Sequence, residues 1–169
     1  MDVSRDLNEF AKTDVNVICA GPKAILDIPR TLEYLETQGI AVIGYKTKKA
    51  PLFYTSTSKY DLEQWADSAA ELAKILHNNK VLGLNQGSLI LNPVPEKYSL
   101  DADWVEQRIE EAIQMMEKDN IHGKDVTPYL LSKLVGLTGG KSLETNMALI
   151  ENDAALGGAL AKELLALEK

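Results

Sequence analysis

The chain has 169 residues, 45% hydrophobic and 25% charged, which suits one soluble globular domain with a sizeable core. Its formal net charge of −7 argues against a nucleic-acid partner, which needs concentrated Lys and Arg, but leaves room for a local basic pocket holding one phosphate. The lone cysteine, Cys19, excludes a disulfide framework, His77 and His122 form no metal-ligand spacing, and the lack of a long apolar run or signal peptide leads us to expect a cytoplasmic protein without a membrane partner.

In chain order, residues 2–12 read as a short helix with Val3, Leu7 and Phe10 on one side. A β-branched strand follows, ending at Ala20 before a Gly21-Pro22 turn. The next helix starts at an Asp27 N-cap with Pro29 in its first turn, carries Ile28, Leu32 and Leu35 as its apolar stripe, and stops at Gly39. Ile40 to Tyr45 reads as a second buried strand, completing a β-α-β unit. Residues 46–60 form a polar loop interrupted by Leu52-Phe53-Tyr54. Asp61 and Gln64 resemble a capping box opening a helix to about residue 77, with Leu62, Trp65, Ala69, Leu72 and Leu76 inside. Val81 to Leu91 is strand-like and ends at Asn92-Pro93-Val94-Pro95-Glu96, a stiff turn that cannot extend a sheet.

Trp104, Val105, Ile109, Ala112 and Met116 mark another helix, and Thr127-Pro128 reads as the N-cap and first residue of the next. Ser142 is expected to cap a long last helix with Leu143, Met147, Ile150, Ala154, Ala161 and Leu164 on its inner face. Gly157-Gly158 calls for close packing against a neighbour, since each glycine costs roughly 1 kcal/mol relative to alanine. The alternation of helices and apolar strands predicts a layered α/β/α domain over residues 1–169, with a mostly parallel sheet flanked by helices.

Lys23 is the leading candidate for chemistry. It lies just past the first strand, where open α/β sheets bind their substrates. An apolar strand behind a lysine desolvates it, and desolvation lowers an amine's pKa and frees it to attack a carbonyl carbon. The plain alternative is a surface lysine opening the next helix. Gly136-Leu137-Thr138-Gly139-Gly140-Lys141-Ser142 imitates a phosphate-binding loop, yet it has one residue too few between the glycines and follows a helix rather than a strand. Asp6, 17 residues before Lys23, could hold a hard divalent cation largely through waters, or be a solvated surface charge. Asn146 shares a helix flank with Ile150 and Asp153 and could read a nucleobase edge or satisfy a backbone group.

Together these segments resemble the pseudouridine-5′-phosphate glycosidase family, also called the indigoidine synthase A-like family. The resemblance is carried by the stretch from Asp2 to Phe10, by Val17 to Gly39 around Lys23, and by Ile40 to Tyr45. Asn92-Pro-Val-Pro-Glu96, Thr127-Pro-Tyr-Leu-Leu131 and Leu137-Thr-Gly-Gly-Lys-Ser-Leu-Glu-Thr-Asn146 continue it in order. It implies reversible cleavage of the C–C glycosidic bond of pseudouridine 5′-phosphate to uracil and ribose 5-phosphate, with a divalent metal, typically Mn²⁺. By the same resemblance, Lys23 matches the lysine that forms a Schiff base with C1′ of the ring-opened sugar. Asp6 matches the metal-binding aspartate, and Asn146 and Ser4 match substrate-binding positions.

The family's pattern is departed from at Pro22, where alanine is usual, and at Asp153, where asparagine is common. The chain also resembles only the C-terminal part of a family member. The N-terminal part supplies an essential glutamate, so the chain alone is expected to have little activity. It would work as a homotrimer or with a polypeptide carrying that other part. Two alternatives stand beside this reading: a non-catalytic half acting through assembly, and an aldolase-like lyase for another phosphosugar.

Overall fold

The computed structural model describes residues 6–23, 27–84 and 86–168. Four short strands, β1 (Asn16–Cys19), β2 (Ala41–Tyr45), β3 (Gln64–Ala66) and β4 (Ser88–Leu91), form one sheet in the order β1-β4-β2-β3. All three pairings are parallel, and Ile90 of β4 lies opposite both Ile18 and Ile43. Side-chain alternation sends Val17, Cys19, Leu89 and Leu91 to one face and Ile18, Ile43 and Ile90 to the other. Leu7 and Phe10 of α1 (Asp6–Phe10) and Leu35 of α2 (Ile28–Thr37) cover the first face. Leu72 and Leu76 of α3 (Ala69–Val81) and Leu156 and Leu160 of α6 (Lys141–Leu167) cover the second. α2 carries the chain from β1 past β4 to β2, whereas α3 carries it back from β3 to β4. Right-handed crossovers running in opposite directions fall on opposite faces, which yields the layered α/β/α arrangement expected from the sequence.

α4 (Ala102–Lys118) and α5 (Val126–Leu137) pack together beside these layers, burying Val105, Ile109, Ala112, Leu130 and Leu134 around Tyr54. Tyr54 belongs to the 46–60 segment, which is less of a surface loop than its polarity suggests: Ala50, Pro51, Tyr54 and Thr55 are all buried. Asp27 caps α2 as expected, its carboxylate accepting from the Arg30 amide at 3.1 Å.

Several sequence-based boundaries shift, each for a local reason. The capping box at Asp61 does not form; Asp61 instead bridges Lys49, and Trp65 and Ala66 pair with β2 in β3. The same chemistry appears seven residues later, where the Ser68 hydroxyl accepts from the Glu71 amide at 3.2 Å and Glu71 accepts from the Asp67 amide at 2.9 Å. α3 therefore runs on to Val81, and among the described residues of the expected Val81–Leu91 strand only Ser88–Leu91 forms one. Thr127 and Pro128 lie within the first turn of α5, whose N-cap is Asp125. Ser142 is not a cap: Gly140, at φ +88°, occupies that position, and the Thr138 hydroxyl accepts from the buried Ser142 amide at 3.1 Å.

The largest correction concerns the rotation of α6. Its buried positions are Ser142, Thr145, Ala148, Leu149, Leu156 and Leu160. Leu143, Met147 and Ile150, expected inside, are 49%, 57% and 58% exposed, while Leu164 alone of the expected set packs on the second sheet face. Hydrogen bonds hold the helix in this rotation. Thr145 donates to the Tyr98 carbonyl at 2.8 Å and Asn152 to the Pro93 carbonyl at 3.0 Å. The Asn92 amide donates to the Asp153 carboxylate at 2.8 Å. Neither helical glycine is demanded by packing: a Cβ on Gly157 would meet Ile18 at an ordinary 3.7 Å, and one on Gly158 would meet nothing within 4 Å.

Candidate functional site

The chain leaves β1 through Gly21, at φ +96°, where a Cβ would lie 1.9 Å from the Pro51 carbonyl oxygen. Only glycine fits this turn, and it delivers Lys23 to the carboxyl end of the sheet. Phe53 arches over the same end. Its amide donates to the Ala20 carbonyl at 2.9 Å, and its ring packs edge-on against Tyr54. That anchoring holds an aromatic residue at φ +59°, a backbone region costly for bulky side chains. The Lys23 Nζ lies 5.9 Å from the Phe53 ring centroid, within cation–π range.

Lys23 lines a cavity of about 310 Å³ whose floor is Val17, Leu89 and Leu91 of the sheet. Its polar groups are few: Asp6 from α1, the Cys19 thiol, Lys23, Thr31 from α2 and Asp153 from α6. A mostly apolar hollow with a handful of polar groups is the usual form of a small-molecule site. Burial raises the Asp153 carboxyl from its ordinary 3.8 to about 6, against the Asn92 hydrogen bond, which favours the anion. Burial likewise raises the Cys19 thiol to about 11, partly offset by a backbone hydrogen bond at Gly21, so this sulfur is a neutral lining group rather than a nucleophile.

Of the residues singled out in the sequence, Lys23 and Asp6 share this cavity, with Asp153 beside them. Asn146 is half-buried on α6 and does not line it. Ser4 lies outside the described residues. Phe53 and Leu149 went unassigned in the sequence; the apolar interruption of a polar loop at Leu52-Phe53-Tyr54 was the one signal for the former. The resemblance implies a divalent metal. Among the described residues no group of three or more His, Cys, Asp or Glu side chains is placed to hold one. The cavity offers hard carboxylate oxygens at Asp6 and Asp153, which suit Mg²⁺ or Mn²⁺ only with water or substrate oxygens completing the shell. Among the described residues no helix is long and apolar enough to cross a membrane.

The chain is 51% identical over 164 residues to the pseudouridine-5′-phosphate glycosidase of Geobacillus kaustophilus, covering 97% of this chain and 54% of that protein. It is 47% identical over 161 residues to the pseudouridine-5′-phosphate glycosidase of Staphylococcus aureus, covering 95% and 52%. Among solved structures, an indigoidine synthase A-like protein from Thermotoga maritima superposes with a TM-score of 0.85 at 36% identity, covering 95% of this chain and 53% of that one. A prealnumycin C-glycosynthase in complex with ribulose 5-phosphate superposes with a TM-score of 0.89 at 30% identity, covering 99% and 55%. The chain thus spans about half the length of the curated relatives it matches. With the family profile described as indigoidine synthase A-like protein matching residues 1–163, the chain belongs to that family, which includes the pseudouridine-5′-phosphate glycosidases.

Proposed function

We propose that this chain is the lysine-bearing half of a pseudouridine-5′-phosphate glycosidase, with Lys23 as its nucleophile. The observation that carries the reading is the position of Lys23, past the carboxyl end of β1, in an apolar cavity shared with Asp6 and Asp153. A C-glycosidic bond has no leaving-group oxygen to protonate, so the two-carboxylate glycosidase scheme does not serve it. An amine does. Ring opening breaks C1′–O4′, the pair and a proton going to O4′, while uracil gives up its N1 proton and gains a double bond to C1′. The lysine nitrogen adds to C1′, that double-bond pair and the amine's proton return to the base, and the nitrogen lone pair then forms a C=N bond as the C1′–uracil bond breaks. The bonding pair leaves with uracil, which takes up a proton, and water hydrolyses the imine to release ribose 5-phosphate and the free lysine. The apolar floor keeps water away from the reacting carbon, and Phe53 limits where the lysine tip can swing. Asp6 is our assignment for a Mn²⁺ ion, which when bound would offset substrate negative charge; Ser4 and Asn146 are our assignments for substrate contacts. In this reading the complete site needs the other half of the family fold.

Reductive trapping tests the assignment. With the other half of the fold present, incubation with ribose 5-phosphate and borohydride should leave a sugar-phosphate adduct on Lys23, located by peptide mass spectrometry. A Lys23→Arg variant, which keeps the charge but cannot form an imine, should lose the adduct with unfolding free energy within about 0.5 kcal/mol of the parent. Labelling centred on another lysine would remove the assignment. The fold shared with the C-glycosynthase supports a second reading, C–C bond formation or cleavage on a pentose 5-phosphate with a partner other than uracil. A screen of carbon acceptors, run with the other half of the fold present, separates the two.

A further inference from the structure

α6 carries a second apolar face, and nothing among the described residues covers it. Leu143, Met147, Ile150 and Leu165 are roughly half exposed, with Ala154, Gly158 and Ala161 between them. Their three- and four-residue spacing makes one seam, the pattern of a helix that packs against a neighbour along most of its length. At about 100° of rotation per residue, Asn146 and Asp153 fall on the flank between this seam and the buried face. A Cβ built on Gly157, on that same flank, would meet Ile18 of β1 at 3.7 Å. The other side of α6 packs on α3, so the seam points away from α3 and past the β1 edge of the sheet. Among the described residues β1 pairs with β4 alone, and Val15 just before it is itself exposed. An open strand edge beside an apolar helical seam is one continuous surface of the kind soluble proteins rarely leave bare.

The occupant follows from the family. Two structures reproduce this chain's fold with TM-scores of 0.89 and 0.85, yet it covers only 55% and 53% of them. Each therefore contains a further body of nearly equal size. We propose that the α6 seam and the open edge of β1 are the docking surface for that body, the half of the family fold this chain does not match. The small side chains at the centre of the seam admit a close helix, and a body seated there borders the Lys23 cavity at Asp153. The inference rests on family membership and not on the chemistry proposed for Lys23.

The test is co-expression of the full 169-residue chain with the unmatched half of the Geobacillus kaustophilus relative, so that neither part has to fold alone. Size-exclusion chromatography with light scattering should find a complex with equal numbers of the two halves. Replacing Met147→Glu and Ile150→Glu together should weaken it about 100-fold or more, because two charges would be buried against apolar surface. Glu106→Lys, on the exposed side of α4 and away from the seam, should leave it intact. As a second measurement, the thiol of a Met147→Cys variant should alkylate at least about tenfold more slowly in the complex than in the chain alone. The proposal is overturned if the halves fail to associate, if the double variant associates as well as the parent, or if the seam instead joins copies of this chain and the added half does not displace them. Association is read without the Lys23 adduct, so the two readings fail separately.

Discussion

The side-chain amide of Asn92 donates to the carboxylate of Asp153 at 2.8 Å, joining the end of β4 to the middle of α6. This bond sits in a row with Asn152 to the Pro93 carbonyl and Thr145 to the Tyr98 carbonyl. Together they clamp the segment from Asn92 to Tyr98 along α6. The row turns Asp153 and Leu149 toward the Lys23 cavity and leaves Met147 and Ile150 facing outward. One set of polar contacts therefore decides both what lines the candidate site and what remains to be covered.

Asp153 makes stability depend on pH in a definite direction. Its carboxyl titrates near 6 in the folded chain and near 3.8 when unfolded, so the folded state holds the proton more tightly. Its favourable contribution is complete below about pH 4 and is lost as pH rises through about 6. An Asp153→Asn variant should match the parent near pH 4 and exceed it above pH 6.5 by about 1 kcal/mol, a figure reduced for the solvent that reaches a half-buried carboxylate. Urea unfolding of both proteins between pH 4 and 7 measures the difference. Parallel profiles would show that Asp153 is not held as described.

Gly21 should tolerate no side chain. A Cβ there meets the Pro51 carbonyl oxygen at 1.9 Å, in a backbone conformation that L-residues rarely adopt. Gly21→Ala is expected to destabilise the chain by about 3 kcal/mol or more and to displace Lys23 from the cavity. Gly39→Ala, also at positive φ but with open space around it, should cost about 1 kcal/mol. Thermal unfolding separates the two; equal losses would mean that the Pro51 contact yields.

Two sites compete for the start of α3, and substitution distinguishes them. Ser68→Ala removes the hydroxyl that accepts from the Glu71 amide and should cost about 1 kcal/mol. Asp61→Ala removes an exposed ion pair with Lys49 and should cost less than about 0.5 kcal/mol. The reverse order, read by chemical denaturation, would restore Asp61 as the cap.

Much of the fold is written in local pattern. The apolar runs of β1 and β2, the Asp27 cap and the prolines that stop β4 act within a few residues, so they are legible without tertiary knowledge. The same holds for the placement of Lys23 just after a strand. The capping box at Asp61 fails because pairing of Trp65 and Ala66 with β2 outweighs a local helix signal. Ser142 fails as a cap because a left-handed Gly140 already opens α6.

The sequence by itself determined that helices and parallel strands alternate and that a lysine stands at a strand's carboxyl end, since both follow from spacing and side-chain chemistry. Tertiary structure alone decided which face of α6 turns inward, because that helix is apolar on two sides and hydrophobicity cannot choose between them. The choice was made by hydrogen bonds from Asn92, Asn152 and Thr145 to partners at least 47 residues away in the chain. The same contacts brought Asp153 into the cavity with Lys23, a meeting that no local pattern contains.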